Sequence, residues 1–518
     1  MVRIAYRNRT SLTSILDPDA RMLAEELDGF PLALATAGAY LHGTTMSFED
    51  YLRQYKESWA KLQQISPEII SYEDRTLYST WQISYDRIKI QNELSANLIR
   101  LWAYFDNHDL WFELLRHPDS EAREWIHELT EDELNFNKAI RVLTDHGLVE
   151  PATSSLELIE SRGYSIHSCV HSWTIHVLNQ EWDDDLAKLA VELVGLQVPD
   201  VDSSRWWLIS RRILPHAARI SHMIVNGLVS SESIEWACYN MGGLFAHQGK
   251  LEEAEKMYIR ALQGYEKAFG TDHKSTLHTV NNLGNLYSDQ GKMEEAEAMY
   301  IQALQGKEKA LGADHKSTLQ TVNNLGTLYA AQGKMEEAEA MYVRSLQGYE
   351  KALGADHTST LQAVNNLGNL YSDQGKLEEA EMMYVRALQG REKTLGANHV
   401  ETMDTVNNLA VLFRKQGKLE EAETLYLRSL QGYEKALGPI TMARHRPALN
   451  TIENLGNLFE EQGKLSEAKS MFLRAHSGLV TLLGPSNDEC PRLERKIQWV
   501  ESVLSEDSSS LFLLHRSC

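Results

Sequence analysis

Between Ser233 and Gly484 the apolar positions return in helical order. In "STLHTVNNLGNLYSDQGKMEEAE", residues 275–297, Val280, Leu283, Gly284 and Tyr287 stand at i, i+3, i+4 and i+7, one stripe of a helix. Gly291 ends that helix, because glycine takes the left-handed cap without steric cost. Ala296, Met299, Tyr300, Ala303 and Leu304 stripe a second helix. Gly312 closes it, and Ser317 is placed to cap the next. Gly284 and Ala296 keep the seam between paired helices narrow, where a larger side chain would overpack. The string "QGK" starts at Gln248, Gln290, Gln332, Gln374 and Gln416, a period of 42 residues, and a sixth copy at Gln462 is displaced by 46. One helix pair cannot bury its own stripe, so the pairs are predicted to stack into a superhelix.

A phosphate-cradling loop is excluded for this stretch. Such a loop needs four residues between its glycines and a Ser or Thr after the Lys. Here six residues separate Gly284 from Gly291, and Met293 follows Lys292. The pattern instead resembles the tetratricopeptide repeat in its 42-residue, kinesin-light-chain-like form. The family's Leu-Gly, Tyr, Ala, aromatic and Ala positions match Leu283, Gly284, Tyr287, Ala296, Tyr300 and Ala303. The next unit has Leu325, Gly326, Tyr329, Ala338, Tyr342 and Ser345 in those places, and the one after has Leu367, Gly368, Tyr371, Ala380, Tyr384 and Ala387. The end units are looser, with Met241, Gly242 and Phe245 at the front and Leu455, Gly456 and Phe459 at the back. "VNNLGNLYSDQGK" occurs twice, from Val280 and from Val364, which points to recent duplication.

Ahead of the array the pattern is also helical. "LAEELDGFPLALATAGAYL", residues 23–41, is amphipathic, with Gly29-Phe30-Pro31 starting a new helix at a position where Pro is favourable. The string resembles the "GLPLAL" motif of NB-ARC signalling ATPases, and the resemblance places Pro31 near a bound nucleotide. "TLYSTWQISYDRI", residues 76–88, resembles the start of that family's winged-helix domain through Ser84, Tyr85 and Asp86. Residues 143–178 read as a helix, a wing and a closing helix. Within them Ile166-His167-Ser168 resembles the Met-His-Asp motif, whose His senses the phosphate of ADP. Ser168 replaces the family's Asp, so a tight ADP latch is not expected. His171 and Trp173 fit a variant resembling fungal members of the family. His167, Cys169, His171 and His176 also suggest a metal, since His167 and His171 have i, i+4 spacing. No HExxH string is present, and a structural or nucleotide-sensing His is the preferred reading.

The fold class is therefore mainly α: a helical NB-ARC remnant (1–70), a winged-helix domain (71–183), bridging helices (184–232), a tetratricopeptide α-solenoid (233–484), and a capping helix with a flexible tail (485–518). No G-x-x-x-x-G-K-[ST] string occurs in the chain. By that resemblance the sequence starts after the nucleotide-binding core, either as a truncated gene model or as a natural remnant. Arg3, Arg7 and Arg9, with no acid before Asp17, faintly resemble a mitochondrial presequence.

Composition narrows the function. Charged residues are 24% and hydrophobic ones 43% of the chain, as in a folded protein. A net charge of −22 argues against a general nucleic-acid binder. No apolar run reaches the roughly 18 residues of a membrane helix. Cys169, Cys238, Cys490 and Cys518 lie far apart without a CxxC pair, which suggests a reducing, cytoplasmic setting. The expected function is non-enzymatic: a scaffold or interaction protein whose repeats bind a protein or peptide, with self-association as a further expectation. No metal or cofactor is expected, with ADP only if a nucleotide-binding core is supplied. The alternatives are part of a working ADP/ATP switch, or a kinesin-light-chain-like cargo adaptor, which would want a heptad coiled coil that the sequence lacks. The recurring His273, His315, His357 and His399 are read as loop-packing or capping residues.

Neighbouring asparagines divide the work. A second Asn precedes the Leu of every unit (Asn240, Asn282, Asn324, Asn366, Asn408, Asn454) and is predicted to tie adjacent repeats. A first Asn occurs only in the inner units, at Asn281, Asn323, Asn365 and Asn407. On a helical wheel it falls on the side of His278 and Asn285, which the tetratricopeptide resemblance makes the ligand groove. His278, Asn281, Asn285, Asn323, Asn365 and Asn407 are therefore the candidate groove residues, the first asparagines forming a ladder of amides open to a peptide backbone.

Overall fold

The computed structural model describes residues 18–27, 31–42, 44–65, 72–117, 124–152, 161–200, 206–230, 233–443, 445–483 and 489–514. Gly29 and Phe30, the presequence-like start and Cys518 lie outside them. The described residues include 23 α-helices and one two-stranded sheet. The chain divides into two compact units, 1–267 and 268–518.

In the first unit α1 (Pro18–Glu26), α2 (Pro31–His42) and α3 (Phe48–Ile65) form a small packet around Leu23, Ala33, Ala37 and Tyr51, all fully buried. The small residues of α2 allow burial on several faces. Thr36 is buried too, its hydroxyl donating to the Leu32 carbonyl at 3.0 Å. Next come α4 (Tyr72–Gln91), α5 (Glu93–Trp102), α6 (Glu124–Thr130) and α7 (Glu133–Asp145). Asn92 and Asp132 cap α5 and α7 by accepting from Ser95 N at 3.0 Å and Asn135 N at 2.7 Å. Strands β1 (Glu150–Pro151) and β2 (Tyr164–Ser165) pair antiparallel, and Leu110 exchanges two backbone bonds of 2.8 Å with Tyr164 on β2's other side. Helix α8 (Ser168–Trp173) continues into a π turn at Thr174–Leu178. Helix, short sheet and closing helix are held by fully buried Trp81, Trp102 and Trp173, and by Trp111 at 1% exposure.

Helices α9 (Asp184–Gln197) and α10 (Trp206–Val225) follow. Arg212 of α10 grips the Asp109 carboxylate through two bonds of 2.9 Å. Fully buried His216 lies between backbone groups, 3.2 Å from both the Asp106 N–H and the Asp109 carbonyl, and burial pushes it down to about 4. Helices α11 (Glu235–His247) and α12 (Leu251–Phe269) form the first helix pair of the repeat type.

The second unit stacks helix pairs. Its first helices, called A helices, are α13 (Lys274–Asp289), α15 (Lys316–Ala331), α17 (Thr358–Asp373), α19 (Val400–Lys415) and α21 (Arg446–Glu461). Their B partners are α14 (Met293–Leu311), α16 (Met335–Leu353), α18 (Leu377–Thr394), α20 (Leu419–Met442) and α22 (Leu465–Leu483). Helix α23 (Glu489–Leu514) packs on α22. Within a pair contact is tight: a Cβ on Gly284 would lie 2.8 Å from the Tyr300 ring. One detail corrects the sequence reading. His315, not Ser317, caps α15, its Nδ1 accepting from Ser317 N at 3.2 Å. His273, His357 and His399 cap their helices in the same way. The displacement of the last unit falls in α20, where Gly438 (φ 72°) and Pro439 kink the chain before an extra stretch to Met442.

Candidate functional site

Consecutive A helices lie side by side, and amides join them. Asn324 donates to Asn285 at 3.0 Å, Asn366 to Asn323 at 3.2 Å, Asn408 to Asn365 at 3.3 Å and Asn454 to Asn407 at 3.3 Å. The second Asn of one repeat thus reaches back to its predecessor. The acceptor is the first Asn in three cases and Asn285 in the fourth.

This geometry corrects the predicted groove. Asn281, Asn323 and Asn365 are 4%, 8% and 7% exposed, so they form no open ladder. Asn281 accepts from the Thr321 hydroxyl at 2.8 Å, across the seam to the next repeat. Asn407 is half-buried and also donates to Asn408 at 3.4 Å. Asn285 is half-buried and takes a second bond from the Tyr300 hydroxyl at 2.7 Å. His278 is half-buried with Nε2 2.8 Å from the Ser317 hydroxyl. Burial, then Lys307, Lys274 and His315, push it down to about 4. A wheel drawn for one helix cannot register the neighbouring helix, which covers the flank where the first asparagines stand. The positions that do face outward on α15 and α17 are Gln320, Thr327 and Gln362, all exposed, with Asn324, Asn366 and Asn369 half-buried between them.

The "QGK" string has a structural task. Lys334 sits over the Tyr329 ring, 5.1 Å from its centre, and its ammonium lies 3.1 Å from Glu297 of the preceding repeat. Gln332 and the Tyr329 hydroxyl donate to the same carboxylate at 3.3 and 3.2 Å. Partial burial pushes the Glu297 carboxyl up, but the bonds from Lys334, Gln332 and Tyr329 outweigh it and the net shift is down. Glu339 receives the same set from Tyr371, Gln374 and Lys376, and Glu423 takes Gln462 and Lys464. Only the recurrence of Glu 37 residues before Lys334 and Lys376 could have suggested this staple, and the displaced last unit stretches it to 41.

Buried cations escaped the sequence reading. Where Tyr349 and Tyr433 stand on α16 and α20, α14 has Lys307 and α18 has Arg391, at 2% and 4% exposure. Lys307 donates to the Thr321 hydroxyl at 2.8 Å and the Ser317 carbonyl at 3.4 Å, and burial pushes it down to about 8.

The residues marked by the nucleotide resemblance belong to the first unit. Pro31 is the exposed first residue of α2. His167 is exposed, and its Nδ1 caps α8 by accepting from Cys169 N at 3.3 Å. His171 turns inward, its Nε2 3.3 Å from the Trp102 carbonyl, and burial holds it below the ordinary range. Among the described residues no group of three His, Cys, Asp or Glu is arranged to hold a metal. No described helix is long and apolar enough to cross a membrane.

Residues 233–309, 275–351, 317–389 and 359–435 match the tetratricopeptide-repeat family. A nucleotide-binding leucine-rich repeat (NLR)-like protein of Hyaloscypha variabilis is 30% identical over 282 residues, which cover 51% of this chain and 26% of that protein. The chain thus spans about a quarter of that relative's length. Among solved structures, a signal-transduction ATPase with a tetratricopeptide-repeat sensor from Pyrococcus horikoshii is 13% identical, covering 98% of this chain and 73% of its own, with a TM-score of 0.43. A kinesin-light-chain repeat protein of Podospora anserina is 23% identical, covering 38% of this chain and 94% of its own, with a TM-score of 0.34. Residues 233–435 thus match tetratricopeptide repeats, and the chain is related in sequence to a fungal NLR-like protein over about half of its length.

Proposed function

We propose that the A-helix face holds an extended protein or peptide segment, and that the chain works by recognition rather than by catalysis. The observation that supports this is the outward row of Gln320, Thr327, Gln362 and Asn369. Neutral amides and hydroxyls can both donate to and accept from a peptide backbone, and neighbouring helices present them at the same level. The bridging and winged-helix segments would pass the bound state to a partner domain, in a cytoplasmic setting. Selection from a displayed random decapeptide library on the full chain tests the reading. Captured peptides should be lost when Gln320, Thr327 and Gln362 are changed together to Ala. They should be retained when Gln347 and Gln389, exposed on B helices, are changed instead. Equal loss from both variants would refute an A-face site.

Nucleotide binding is not part of the proposed activity of this chain. Pro31 and His167 could contribute only to a site completed by a nucleotide-binding core. Calorimetry with ADP and ATP should give no micromolar binding, because the backbone cradle and Lys of a phosphate loop are missing from the sequence.

A further inference from the structure

The period of the array is broken once, and the residues around the break form a distinct polar site. On α19 the outward position held by His278, Gln320, Gln362 and Asn450 elsewhere is Asp404. Fully buried Tyr433 donates its hydroxyl to one Asp404 oxygen. Behind them Arg391 is already engaged, donating to the Thr405 hydroxyl and the Glu401 carbonyl at 2.7 Å each, with the Glu401 carboxylate 3.4 Å away. Among the described residues Asp404 enters no ion pair. His445 stands where the capping histidines stand in other repeats. Residue 447 is Pro, which has no N–H for His445 to accept from, so His445 makes no cap bond and packs against Tyr433 with ring centres 5.4 Å apart.

The neighbouring repeats act as internal controls. They place a neutral side chain at this level, whereas here a half-buried carboxylate accepts one hydrogen bond, from Tyr433, and makes no ion pair among the described residues. Such a group is costly to keep unless something pairs with it. Burial pushes its carboxyl up, Tyr433, His445 and Arg391 offset this only in part, and the net shift is up. We infer that Asp404 anchors one cationic side chain, a lysine or arginine, of the segment held on the A-helix face. This rests on the recognition role proposed above, and it names one residue class of the ligand.

The test is selection from the displayed decapeptide library with wild-type chain and Asp404→Asn in parallel. Melting curves confirm that both are folded. Wild type should enrich peptides with Lys or Arg at one fixed position, and Asp404→Asn should weaken those peptides about tenfold or more, as for a lost charge-assisted bond. Added salt should weaken wild type and spare the variant. If Asp404→Asn fails to fold, Asp404→Gln, which restores the residue type of Gln320 and Gln362, takes its place. Enriched peptides without a basic position, or a basic preference unchanged in the variant, would overturn the anchor and leave the A-face site standing. Capture of nothing by wild type would remove the A-face site, and the anchor with it.

Discussion

At the scale of single residues, the amide pairs separate structure from surface. Asn366→Ala removes the donor to Asn323, whose oxygen is then buried without a partner. It should destabilise the chain by about 1–3 kcal/mol in denaturant unfolding. Gln320→Ala, on the exposed stripe, should cost less than about 0.5 kcal/mol. Lys307 makes a second case. Its folded value of about 8 lies below the ordinary 10.5, so between those values the unfolded chain holds more protons and stability rises with pH. Below about 8 both states are charged and the full cost remains. Lys307→Tyr, the residue type at Tyr349, should therefore stabilise the chain at pH 7 by about 1–3 kcal/mol and remove that alkaline rise. Thermal melts of both chains from pH 7 to pH 11 check the sign.

At the scale of elements, the seam between A and B helices sets the tolerance. Ala338 is fully buried, so Ala338→Leu should cost about 1–3 kcal/mol by overpacking. Glu337 next to it is exposed, and Glu337→Leu should cost less than about 0.5 kcal/mol in the same unfolding experiment. These faces were legible in the sequence because the 3.6-residue period marks the side each helix presents to its own partner. Val280, Leu283 and Gly284 fell where the period put them. Lateral packing was not legible. Asn281 reads as outward until the next A helix is laid beside it, and Ser317 reads as a cap until His315 takes that place. The Asp404 site was hidden for a similar reason. Its members come from four helices and matter only because Pro447 withdraws an N–H of the kind that His273, His315, His357 and His399 receive. Acid and base content along one segment cannot disclose such a meeting.

At the scale of the whole molecule, the staples between repeats have a consequence for how the array can change in descent. Each joins a Glu of one repeat to a Lys of the next, as in Glu297 with Lys334 and Glu339 with Lys376, and the partners are the same residue types each time. A unit inserted in phase meets the same neighbours on both sides. Length is then a quantity that unequal crossing-over can alter without relearning any contact, while a break in phase, as at Gly438, fixes a landmark against which length is measured. Inserting a second copy of residues 317–358 after Thr358 should give a folded chain that melts no lower than the parent, since stability in stacked repeats grows with the number of interfaces. A copy shortened by two residues would put each Lys out of reach of its Glu, and calorimetry should show that chain losing its cooperative transition. Lineages carrying such arrays would be free to vary how long a segment they grip while keeping the chemistry of each grip unchanged.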